Sequence, residues 1–95
     1  MSNIRDAYVK KMKAKLDEWN AEITRLEAKA RQQEAGAQKQ AAEHIETLKK
    51  KRQSTAEYLD KLQQAGESAW EDLKAGVENA AVSLGEAIRS AQSRF

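Results

Sequence analysis

Not one proline interrupts these 95 residues and only four glycines do, so nothing in the covalent backbone stops a helix from running nearly end to end. The apolar residues obey the same geometry. Ile4, Tyr8, Met12, Leu16, Trp19, Ile23, Leu26 and Ala30 are separated by steps of three and four, which keeps them on one helical face. Continued in that register, the stripe meets Gln33, Ala37, Gln40 and His44 and turns polar. A shift of one residue recovers it through Ala37, Ala41, Ile45, Leu48, Arg52, Thr55, Leu59, Leu62, Gly66, Ala69 and Leu73. Such a slip reads as a stutter, a local unwinding of a left-handed supercoil. Beyond Leu73, the series Val77, Ala80, Leu84, Ile88, Ala91 and Phe95 approaches an eleven-residue repeat, which favours straighter or right-handed pairing.

The expected fold is all-α: a single helical coiled-coil domain over 1–95, with a long helix over about 3–65 and a second helical segment over about 68–94. Ser2 or Asn3 is the expected first cap, with Asp6 in the positive first turn. Gly66 is the strongest break signal. It can end a helix in a left-handed cap, while Ser68 and Glu71 can form the capping box of the next, giving a helical hairpin. A turn near Gly36 and an unbroken rod of roughly 140 Å are the alternatives. Glu27 with Arg31, Glu46 with Lys50, and Glu57 with Lys61 place an acid four residues before a base, as on a solvated helix.

Large apolar side chains are scarce: Phe occurs once, Trp and Tyr twice each, and alanine supplies much of the apolar count. A core built by one short chain is therefore expected to be marginal, and the stripe is expected to need a second helix from elsewhere. Further copies of the same chain are the expected partners, with a helix of another protein as the alternative. The contact residues would be Met12, Leu16, Trp19, Ile23, Leu26, Ile45, Leu48, Leu59, Leu62, Trp70, Leu73, Val77, Leu84 and Ile88. Mean hydropathy is low, at −0.87, but net charge is only +2 and the apolar positions are periodic, which favours order over disorder.

No reaction is written in these residues. Cysteine is absent and His44 is the only histidine. On a helix its same-face neighbours are Gln40, Ala41, Thr47 and Leu48, none a usual metal ligand, so neither a metal site nor a catalytic residue nor a cofactor site is expected. No glycine-rich phosphate loop or nucleophile elbow is present. Lys49, Lys50, Lys51 and Arg52 form the densest charge cluster, but consecutive helical positions point around the circumference, which weakens a nucleic-acid or polyanion reading. The lysines at 10, 11, 13 and 15 beside Tyr8, Met12 and Trp19 resemble a basic amphipathic segment, and the wide apolar side of the last third could cover lipid. From Glu67 onward, however, five acids oppose three bases, which disfavours an anionic membrane. The charged start, Met1 to Asp6, argues against a secretory signal, so the expected location is the cytoplasm.

The run from Lys11 to Ile23, KMKAKLDEWNAEI, and that from Ala69 to Val77, AWEDLKAGV, resemble a family of short coiled-coil proteins of cyanobacteria and proteobacteria described as stress-response proteins. The likeness covers most of the chain in length and layout. Gln32 to Thr47 departs from it, being richer in glutamine and alanine. The resemblance implies a non-catalytic bacterial role in stress and supplies no catalytic residues. A self-assembling structural or stress-related protein is thus the expected function, with lipid or granule coating and weak polyanion binding as alternatives.

Overall fold

The computed structural model describes residues 3–95, and the caps expected at Ser2 or Asn3 rest on groups outside the described ones. Three long helices follow one another: α1 from Asn3–Arg31, α2 from Ala35–Gln64 and α3 from Glu67–Arg94. They run up, down and up in an all-α bundle 51 Å long and 18 by 17 Å across. A helix of 29 residues is about 44 Å long, so the molecule is roughly one helix in length rather than a rod.

The segment expected as one helix over about 3–65 is therefore two. Its break lies at Gln32 to Glu34, where no glycine or proline stands, and it coincides with the one-residue slip of the apolar stripe. The slip marks a chain reversal, not a stutter. After the turn, the second phase gives the buried face of α2: Ala41, Ile45, Leu48, Thr55, Leu59 and Leu62. Glutamine makes this turn workable. The side-chain amide of Gln38 donates to the carbonyls of Arg31 (3.2 Å) and Gln33 (3.0 Å), and that of Gln33 donates to Lys29 O (3.4 Å), so side chains tie the turn to the end of α1.

A second turn falls at Ala65 and Gly66, where the hairpin break was expected, but by another route. Gly66 has φ −78° and ψ 175°, extended rather than left-handed, and itself stands at the N-cap of α3 without a side-chain cap. Ser68 already lies inside α3, so the expected capping box does not form. Instead, Arg5 of α1 reaches across and donates to Ala65 O at 2.7 Å.

Both turns fold the stripe onto itself. Ile23, Leu26, Ala30, Ala41, Ile45, Leu48, Leu84, Ile88 and Ala91 form one buried cluster; Met12, Leu59, Leu62, Trp70, Val77 and Ala81 form a second. Leu16 and Trp19 pack against both and join them. Of the residues expected to contact another subunit, Leu16, Trp19 and Leu73 are half-buried and the rest are buried within the single chain. The cover that the stripe needs comes from the chain's own other helices. Thr55 is the one buried polar residue among those described, and its hydroxyl donates to Lys51 O at 2.8 Å, so it costs little. Gly76 of α3 lies against the Tyr58 ring of α2, where a Cβ would sit 2.8 Å from Tyr58 Cε1.

Candidate functional site

Helix α2 packs tightly on both neighbours, whereas the parallel helices α1 and α3 meet less closely, leaving a groove between them. Its first section, of about 440 Å³, is lined by Tyr8, Met12 and Trp19 of α1 and by Ala81, Val82 and Gly85 of α3. A second section, of about 490 Å³, continues past Trp19 toward Glu22, Ile88 and Gln92. Large aromatics on α1 against small residues on α3 explain the shape. Trp19 lies over Gly85, whose missing Cβ would stand 3.6 Å from the indole Cζ2, an ordinary contact. Val82 is 59 % exposed on the rim, more than any other large apolar side chain among the described residues except Ile4.

Charges border this apolar floor. Lys11 and Lys15 stand on the α1 side, Glu78, Glu86 and Arg89 on the α3 side. The Lys15 ammonium lies 5.9 Å from the centre of the Trp19 ring, a cation–π distance. At the far end Gln92 donates to Glu22 Oε2 at 2.9 Å, and Glu22 also pairs with Arg25. The groove therefore combines an aromatic anchor, an exposed aliphatic and charges of both signs, which suits a helix more than a small polar molecule.

An aromatic and cationic cluster closes one end of the groove. Tyr8 meets Trp70 edge to face at 6.0 Å, Lys74 lies 5.2 Å from both rings, and Arg5 lies 5.6 Å from the Trp70 ring. Burial, reinforced by the Glu78 carboxylate that accepts from its hydroxyl at 3.5 Å, pushes the Tyr8 phenol up to about 12. Trp70 Nε1 is buried without a hydrogen-bond partner. Behind this cluster a separate recess of about 330 Å³ is lined by Arg5, Lys10, Lys13, Val9 and Leu62, among others.

Other sequence candidates are dispersed. Within the lysine cluster, Lys49 pairs with Glu27 of α1 at 2.8 Å while Lys51 donates to Ser83 of α3 at 2.7 Å, so neighbouring cations face opposite helices. A hydrogen bond from Lys49 lowers the Glu27 carboxyl below its usual range. Glu27 is thus tied to α2 rather than to Arg31, four residues on in its own helix. His44 lies 2.9 Å from Arg94 Nη1 and edge-on to Phe95, a packing role at the bundle end. The apolar side of α3 that could have met lipid, including Trp70, Val77, Leu84 and Ile88, faces inward.

Among the described residues no group of three or more His, Cys, Asp or Glu side chains is placed to hold a metal ion, and no helix is long and apolar enough to cross a membrane. Val82 escaped the sequence reading because it lies off the buried stripe; the four-three-four spacing of Glu78, Val82, Gly85 and Arg89 was the available signal. Comparison with known protein families, with curated proteins and with solved structures finds no match.

Proposed function

We infer that this chain is a non-catalytic, self-assembling helical-bundle protein of the cytoplasm, a structural or stress-related component whose contact face is the groove between α1 and α3. The observation that carries this reading is Val82, 59 % exposed beside the half-buried Trp19 on an open groove. An aromatic anchor with an adjacent apolar rim is the composition of an interface centre, and the mixed charges around it are that of an interface rim. Exposed surface supports the same direction. The chain exposes 6372 Å², against roughly 5,500 Å² for a compact globule of this mass, so the elongated bundle leaves flank available for another helix pair.

Sedimentation across a dilution series tests this. The wild-type chain is expected to run above 10.7 kDa at micromolar concentration, and Val82→Asp, which alters only the rim, is expected to run as a monomer with unchanged helicity. A wild-type chain that stays at monomer mass at every concentration removes the reading.

A further inference from the structure

Two stretches facing the groove share one spacing. On α1, Lys11, Lys15, Glu18 and Glu22 line it in steps of four, three and four; on α3, Glu78, Val82, Gly85 and Arg89 do the same. Each stretch reads as its opposite when reversed: two cations then two anions on α1, an anion, two small apolar positions and a cation on α3. The α1 stretch is centred between Leu16 and Asp17, the α3 stretch between Ser83 and Leu84. These centres lie within about one helical turn of each other in height. Trp19 meets Gly85 across the groove, and Trp19 stands only one residue farther beyond its centre than Gly85 does, a step of ~1.5 Å. Tyr8 with Glu78, and Glu22 with Gln92, each join residues 70 apart, against 67 for the two centres, so the levels agree to within about three residues, roughly 4.5 Å.

We propose, building on the self-assembly reading, that a second copy of this chain docks groove to groove about a twofold axis crossing the helices at that level, so that α1 lies antiparallel to the partner's α1 and α3 antiparallel to the partner's α3. Such an axis sets Lys11 opposite Glu22 of the partner subunit and Lys15 opposite Glu18 of the partner subunit. Glu78 then faces Arg89 of the partner subunit, and Val82 enters the space above Gly85 of the partner subunit. Every contact occurs twice, as an isologous interface requires. Four antiparallel helices also oppose their macrodipoles, whereas a parallel pairing of these two parallel helices would align all four. A parallel pairing would oppose Lys11 to Glu78 of the partner subunit and Glu22 to Arg89 of the partner subunit but would leave Lys15 and Glu18 against Val82 and Gly85. Antiparallel docking thus matches more of the charges, and Lys11, Lys15, Glu18 and Arg89 are exposed and outside the ion pairs that hold the bundle together.

Charge reversal on the full chain separates the outcomes. K11E/K15E is expected to weaken dimerisation at least tenfold in sedimentation equilibrium while keeping its helicity, because it sets acid against acid on the α1 contact. Adding E18K/E22K to the same chain reverses the whole α1 pattern and is expected to restore the dimer. A wild-type dimer that ignores K11E/K15E, or a four-fold variant that stays monomeric, overturns the antiparallel register. Rescue of K11E/K15E by E78K instead establishes the parallel pairing and likewise overturns it. A wild-type chain that never dimerises fails at the earlier step, the self-assembly itself.

Discussion

Individual side chains in this bundle have separable energetic roles. Leu84 is fully buried where α1, α2 and α3 meet, so Leu84→Ala should cost about 2–5 kcal/mol in urea unfolding, large against the few kcal/mol a domain this small commands. Tyr8 is different because its effect depends on pH. Its folded-state phenol, at about 12, lies above the ordinary value of 10, so the stability it contributes is complete below pH 10 and is lost as pH rises from there toward 12. Tyr8→Phe should flatten that part of the stability curve, measured by urea unfolding across the same window. Among the described residues, Thr55 satisfies itself on its own helix, while Trp70 Nε1 has no partner and the Trp70 ring takes cation–π contacts from Arg5 and Lys74.

At the scale of elements, caps are the weak points. Glu34 stands at the N-cap of α2 with an extended backbone but no side-chain bond to the first amides, and the first turn of α2 carries no acid. A shorter carboxylate can reach those amides, so Glu34→Asp should stabilise the fold by about 1 kcal/mol, read as a raised melting midpoint at unchanged net charge. Helix identity was legible throughout, since steps of three and four with no proline leave little else. The Ala65–Gly66 turn was legible in place but not in form, because a glycine signals freedom of φ and not which φ is used. The turn at Gln32 to Glu34 was visible as a slip in phase and, two residues on, as the glycine at 36 that offered an alternative turn. A slip has two physical meanings, unwound supercoil or reversed chain, and choosing between them depends on whether the following helices can cover the stripe. They can, because alanines at 30, 41, 81 and 91 let helices approach closely enough for the few large side chains to suffice.

Considered as a whole molecule, the bundle has an inside that consumes the residues first expected to meet a partner and an outside that presents a different set. Tyr8, Met12 and Trp19 of the groove were readable from periodicity, since they belong to the α1 stripe. Val82 and Arg89 were not. A groove arises from how far apart two helices settle, and on this side Trp19 stands over Gly85, sixty-six positions away, a relation no local pattern records.

The two connections also govern how quickly the molecule can find its shape. Three residues separate α1 from α2 and two separate α2 from α3, so each helix docks first on its immediate neighbour in the chain and little loop-closure entropy opposes the search. Low contact order of this kind accompanies refolding in microseconds to milliseconds. With no prolyl bond to isomerise, stopped-flow or temperature-jump traces of the dilute chain should relax in one fast exponential, without a phase lasting seconds.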